Sequence, residues 1–272
     1  MKVTSLGCRT DLIFARFDGI LTDRGDYLVV RSPLSPTFYW GNFLLFDHPP
    51  GPGDFDTWHA LFAREVGRPP VTTHQAFTWD SPEGDEGLVQ PFIEAGFSLE
   101  RNVVLLSREL GLPARAAADV TVRPLSTESE FAQVLEQQVL SRDEGHAEGA
   151  YRTFRTHMMQ RYRRMEKAGL GHWYGAFLGP HLVADLGIYH DGRGLGRYQS
   201  VETHPDFRRR GVAARLVYEA GRRATLEHDL SAIVIIAEAD SGPSRLYESA
   251  GFKPVEKNVG LLQWTRTEAA TP

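Results

Sequence analysis

The sequence predicts an α/β (α+β) chain built from two successive units of similar design. Three observations lead there. Gln199–Ala214 reads as a strand entering a basic, glycine-containing turn that opens a helix. Ser231–Glu238 follows as a short β-branched run suited to a buried strand. Finally, Glu94-Ala-Gly-Phe97 followed by Glu100-Arg-Asn-Val103 reappears as Ser249-Ala-Gly-Phe252 followed by Glu256-Lys-Asn-Val259, with one extra residue between the pairs. At 272 residues the chain has room for two units of ordinary domain size. The border falls at the linker Leu112–Ala118, giving units at residues 1–115 and 119–272.

In chain order, the first unit shows a strand over Phe38–Asp47. It leads through His48-Pro-Pro-Gly-Pro-Gly53 into a helix starting near Asp54, and an apolar strand includes Val104–Leu106. The second unit opens with a strand at Val120–Pro124. Ser126 or Thr127 then caps a helix running to about Leu140, with acidic residues in its first turn. The polar turn Arg142–Gly149 precedes a second helix over Ala150–Lys167. Arg152, Arg155, Arg161, Arg163 and Arg164 read as its wet face, with contact to an acidic ligand as the alternative, while Phe154, Met158, Tyr162 and Met165 make the apolar face. Strands fit His172–Leu178, Leu182–His190 and Leu195–Thr203, turned by Gly179-Pro180 and Asp191-Gly192. Val212, Ala213, Leu216, Val217, Ala220 and Ala224 recur at helical spacing, so a helix starts near Gly211. The strand Gly260–Trp264 closes the second unit.

Composition excludes several function classes. A hydrophobic content of 42% supports real cores, and a net charge of −5 argues against a general nucleic-acid binder. With Cys8 as the single cysteine, neither an intramolecular disulfide nor a thiolate metal cluster can form. No apolar run reaches bilayer-spanning length, and the first residues lack the apolar core of a signal peptide, so the expected compartment is the cytoplasm. His172, His190 and His204 have no ligand-pair spacing with a carboxylate, so no metal is expected.

The turn Arg208-Arg209-Arg210-Gly211-Val212-Ala213 points to an anion. The first N–H groups of a helix have no internal partner and sit at the positive end of its dipole, while small residues at Gly211 and Ala213 let a phosphate approach the backbone. Arg208-x-x-Gly211-x-Ala213, followed at the right distance by Leu246-Tyr-Glu-x-x-Gly-Phe252, resembles the pyrophosphate loop and second motif of the GNAT superfamily of acyl-CoA-dependent N-acyltransferases. The resemblance implies tandem GNAT-like units, each a mixed, mostly antiparallel sheet flanked by helices. It also implies acetyl-CoA, or another acyl-CoA, as co-substrate. Val201, Thr203, Arg208, Arg209, Arg210, Gly211, Val212, Ala213, Ser244 and Tyr247 would hold it, with the Tyr247 phenol at the thioester sulfur. In the first unit Asp54 and Asp56 stand where the arginines should be and Phe92 replaces the tyrosine, so that copy reads as degenerate, a support that completes the acceptor pocket.

The expected reaction is acetyl transfer to a primary amine of a small molecule or peptide, with no nucleic acid or membrane partner, by a monomer or homodimer. Attack requires a deprotonated amine. The family's usual glutamate position holds Arg197; Glu202, Glu238 and Asp185 remain as bases, Glu202 is favoured, and ordered water is the alternative. Strand alternation sets Glu202 opposite Val201 and Thr203, unless a β-bulge intervenes. A non-catalytic acyl-CoA sensor is the competing reading.

Overall fold

The computed structural model describes residues 1–143, 145–239 and 241–264. The chain divides into two compact units, one of Met1–Val104 together with the stretch from Val255, the other of Leu105–Pro254. This differs from units at 1–115 and 119–272. The last strand of the chain pairs antiparallel with a strand near residue 77, which places it in the first unit.

The first unit contains α1 (Leu6–Asp18), β1 (Ile20–Asp23), β2 (Tyr27–Arg31), β3 (Phe43–Phe46), α2 (Asp54–Glu65), β4 (His74–Trp79), α3 (Gln90–Glu94) and β5 (Ser98–Ser107), whose last residues pass the border. The second contains β6 (Thr121–Pro124), α4 (Glu128–Leu140), α5 (Glu148–Lys167), β7 (Gly171–Leu178), β8 (His181–His190), β9 (Leu195–Thr203), α6 (Val212–His228), β10 (Ala232–Glu238) and α7 (Gly242–Ser249). Strand β11 (Lys253–Trp264) returns to the first unit. The predicted strand over Phe38–Asp47 shortens to β3, because Tyr39–Gly41 forms a 3-10 turn. There the Asn42 amide donates to the carbonyls of Ser35 and Phe38.

Each unit is a mixed, mostly antiparallel sheet with helices against it. The strand order is β1-β2-β3-β4-β11-β5 in the first and β10-β9-β8-β7-β6 in the second. Each also holds one parallel pair joined through a crossover helix, β3-α2-β4 and β9-α6-β10, as parallel neighbours require. Both crossover helices start after a left-handed glycine, Gly53 at φ 85° and Gly211 at φ 78°. The repeat read from the sequence is thus a repeat of structure.

The two parallel pairs differ at their ends. In the first unit the pairing Leu44–Phe77 to Phe46–Trp79 continues to the last residue of both strands. Rings fill the adjoining space. Phe46 stacks on Trp58 with centroids 3.8 Å apart, and Phe77, Phe92 and Phe97 pack beside them. In the second unit the ladder covers only Leu195–Ala232 to Arg197–Val234, although β9 continues to Thr203 and β10 to Glu238. Beyond Arg197 the strands part.

Helix α4 starts as its sequence indicates. Of the two candidate caps the structure uses Thr127, whose hydroxyl accepts from the Glu130 N–H while the Glu130 carboxylate accepts from the Thr127 N–H. Helix α6 packs tightly enough to leave no space at Gly221, where an added Cβ would collide with the Tyr198 hydroxyl and come within 2.5 Å of Leu110 Cδ1. The Tyr198 hydroxyl cannot retreat freely, since it donates to the Val217 carbonyl at 2.7 Å. Helix propensity alone would favour alanine over this glycine by about 1 kcal/mol. Overpacking should outweigh it, so Gly221→Ala is expected to lose about 1–3 kcal/mol of unfolding free energy in urea titration. A stabilised variant would show that the Tyr198 contact yields.

Candidate active site

The parting strands β9 and β10 define the site, and a bulge in β9 sets which side chains line it. Opposite β8, Gly187 pairs with Gln199 and the ladder resumes at Asp185–Glu202, so Leu186 alone faces both Ser200 and Val201. Ser200 adopts φ 49°, a left-handed conformation uncommon outside glycine. Asp185 and Gly187 share a face of β8, so their partners Glu202 and Gln199 share that face too. The sequence assignment of Glu202 opposite Val201 and Thr203 holds locally, but the bulge turns Glu202 to the Gln199 side.

That face looks at α5. Arg155 and Arg161, read from the sequence as a solvated stripe, are instead buried, as is Arg197. The charges of all three oppose the burial that raises the Tyr162 phenol, so the three guanidinium groups lie within electrostatic reach of it. The apolar spacing of α5 gave no sign of this, because an arginine at a helical position looks the same whether it faces water or a polar cleft. Among the other α5 cations, Arg152 pairs with Glu136 and Arg163 with Glu128.

A polar chain runs beneath the cleft. Arg155 donates through Nε to Gln138 Oε1 at 2.6 Å, and Gln138 Nε2 donates to Asp185 Oδ1 at 2.8 Å. The same carboxylate accepts from Trp173 Nε1 at 3.0 Å and from Gln137. Asp185 is fully enclosed, and burial pushes it up to about 7 despite these donors, with the nearby Glu202 charge adding to the rise. Its oxygens are occupied by the scaffold, which suits it to positioning more than to meeting a substrate. Glu238 is exposed at the end of β10. Glu202 is half-buried, and desolvation raises its pKa against the lowering charges of Arg155 and Arg208.

Tyr247, in α7, is buried, and desolvation together with the Glu202 charge drives its phenol well up. Tyr247 and Glu202 therefore lie within electrostatic reach of one another, and Tyr151 at the start of α5 also feels Glu202. Ser244 sits one turn before Tyr247, its hydroxyl 3.4 Å from Glu248 Oε1. Val201 and Thr203 are half-buried on β9 past the end of the parallel ladder.

The turn Arg208–Gly211 leads directly into α6. Arg208, Arg209 and Arg210 are exposed immediately before α6, and Arg209 is itself left-handed at φ 62°. Arg208 Nε donates to the Thr203 carbonyl at 3.2 Å, which fastens the turn to the end of β9, and the Arg210 guanidinium lies 5.1 Å from the Phe207 ring centre. Gly211 has a reason beyond close approach of a ligand. The Ala117 N–H donates to its carbonyl at 3.0 Å, and a Cβ at this position would collide with the Arg115 carbonyl of the linker. Val212 and Ala213 begin the helix, offering N–H groups without intrahelical acceptors. The corresponding turn of the first unit satisfies itself, with Asp54 accepting from the Gly51 N–H at 2.7 Å. Carboxylates at the start of α2 would repel a pyrophosphate.

A family profile described as Acetyltransferase (GNAT) domain matches residues 131–260. The match spans a little under half of the chain, and over that stretch the chain is similar to the GNAT family. No curated protein sequence matches the chain. Among solved structures, a functionally unknown conserved protein from Staphylococcus epidermidis is similar at 14% identity and TM-score 0.72, covering 91% of this chain and 95% of its own. A GCN5-related N-acetyltransferase from Kribbella flavida is similar at 15% identity and TM-score 0.62, covering 97% and 96%. A tandem GNAT protein from the clavulanic acid biosynthesis pathway is similar at 16% identity and TM-score 0.56, covering 97% and 89%. These likenesses show the fold over nearly the whole chain. The GNAT fold in general supports acyl-CoA-dependent N-acetyl transfer. No helix among the described residues is long and apolar enough to cross a membrane.

Within the second unit the burial of Asp185 makes a testable demand. The folded state holds a proton on this carboxyl up to about pH 7, whereas the unfolded chain releases it near the ordinary aspartate value. The folded protein thus binds the extra proton, and this contribution to stability is full below the unfolded pKa and disappears as pH rises through about 7. Asp185→Asn should flatten the decline of unfolding free energy between about pH 4 and pH 7, measured by urea titration across that range. Parallel profiles for the two proteins would contradict the burial argument.

Proposed function

We propose that the second unit transfers an acetyl group from acetyl-CoA to a primary amine by direct attack, with Glu202 as the proton acceptor and Tyr247 as the hydrogen-bond donor to the departing thiolate. One observation supports this above the rest: the parallel pair β9/β10 ends at Arg197–Val234, and Glu202, on the length of β9 beyond that point, is within electrostatic reach of both Tyr247 and Arg208. The residues fit the co-substrate. Exposed arginines and a helix start suit its pyrophosphate, and the unpaired length of β9 at Val201 and Thr203 offers backbone groups to the pantetheine arm.

The electrostatics support these roles. A glutamate raised by desolvation takes a proton from an ammonium more readily than one in water, and the charges of Arg155 and Arg208 oppose that rise. The Tyr247 phenol, driven up by burial, stays protonated at neutral pH. It is a weaker acid than an ordinary thiol, so it stabilises the thiolate by donating a hydrogen bond, and the proton released by the acylated amine completes the thiol.

Three variants separate this reading from a sensor. Arg208→Ala/Arg210→Ala should weaken acetyl-CoA binding by about tenfold or more in calorimetric titration, the loss expected when charge-assisted contacts to phosphate are removed. Glu202→Gln should leave binding near wild type while lowering kcat/KM for amine-dependent thiol release by about 100-fold or more. Tyr247→Phe should lower kcat more than it raises KM. Binding without turnover across a panel of amines would establish the sensor, and absence of binding would overturn the role of the Arg208–Gly211 turn.

A further inference from the structure

Helix α6 ends at a second cluster of functional groups, remote from the anion turn. Its 17 residues put roughly 25 Å between Gly211 and His228. Glu227 and His228 occupy its last turn, and the second residue of β7, His172, faces them. One ligand atom from each of His172, Glu227 and His228 lies within 4.8 Å of the others. His172 Nε2 is 3.0 Å from Glu227 Oε1, close to the roughly 3.3–3.5 Å that separates tetrahedral ligands at zinc bond lengths.

The surroundings are built as a metal site needs. His228 Nε2 is enclosed yet has no hydrogen-bond partner, an orphaned imidazole nitrogen on a residue of this cluster. Its ring stands 4.4 Å from that of His190, which is itself anchored to the Gly169 carbonyl and the Gly192 N–H. The far nitrogen of His172, Nδ1, lies 3.6 Å from Glu166 Oε1, and the Trp173 N–H donates to that same oxygen at 2.8 Å. A carboxylate behind a histidine is the arrangement that orients a ligating imidazole. A cation there also meets the negative end of the α6 dipole.

We propose that His172, Glu227 and His228 form a zinc site with a water in the fourth position, which ties the end of α6 to β7. Two imidazoles with one carboxylate suit a borderline divalent ion such as Zn²⁺ or Co²⁺ and not Ca²⁺ or Mg²⁺, which take oxygen ligands. The sequence concealed the site. His172, His190 and His204 were the histidines its strands suggested, while Glu227 and His228 lie more than 50 residues beyond His172 and meet it only through the packing of α6 on the sheet.

The test uses the full chain without an affinity tag, stripped by a chelator. It is titrated with Zn²⁺ by calorimetry and with Co²⁺ by visible absorption. The expected result is one ion per chain, an intense four-coordinate Co²⁺ spectrum, and a Tm raised by Zn²⁺. Affinity should fall at least tenfold in His228→Ala and in the isosteric surface variant Glu227→Gln, and about 10–100-fold in Glu166→Gln, which leaves every ligand in place. Circular dichroism confirms that each variant is folded, and Glu227→Gln decides the matter if His228→Ala is not. Zn²⁺ affinity no tighter than millimolar in the wild type, or binding unchanged in Glu227→Gln, would overturn the proposal.

Discussion

The second unit depends on a parallel strand pair that is not allowed to finish. Strands β9 and β10 pair for three residues and then separate, which leaves the later half of β9 with a partner on one side alone. Unpaired backbone N–H and C=O groups inside a sheet are costly unless something else satisfies them, so an opening of this kind calls for a ligand or water. The bulge at Ser200 works on the same strand from its other edge, adding twist and turning Glu202 towards α5. Glu202, on the length of β9 past the parallel ladder, is within electrostatic reach of Tyr247 in α7, of Arg155 in α5 and of Arg208 in the turn before α6.

The first unit shows what happens when the same topology is closed. Its parallel pair is complete, and Phe46, Trp58, Phe77 and Phe92 turn the space beside it into core. Gly53 keeps the left-handed entry into the crossover helix, yet the residues after it are acidic and bond their own loop. The left-handed glycine is common to both turns because it serves the backbone entry into the crossover helix, whatever the side chains beside it. Ring stacking in that cluster contributes to the stability of the first unit.

Local signals were legible in the sequence and long-range ones were not. The start of α6, the cap at Thr127 and the Tyr247 motif each lie within a few neighbouring residues whose chemistry specifies them. The Ser200 bulge carries no such mark, since serine is not a residue that demands a left-handed conformation. Burial of Arg155, Arg161 and Arg197 escaped because it depends on groups from α4, α5 and β9 arriving together, with Gln138 relaying Arg155 to Asp185. The shortening of β3 escaped for a related reason. Apolar residues at Phe38–Trp40 suit a strand, but Asn42 bonds the preceding carbonyls and holds a turn there.

Strand β11 has a consequence for biosynthesis. Its partner β4 precedes it by more than 180 residues, and the Thr78 hydroxyl reaches across that separation to the Val259 carbonyl at 2.8 Å. The N-terminal half emerges first from the ribosome but lacks an interior strand until the rest of the chain has been made. Residues 105–254 can collapse as an uninterrupted stretch in the meantime. Order of translation and order of completion are therefore reversed, and during that interval β4 presents a bare edge that a chaperone must shield or the nascent chain must tolerate.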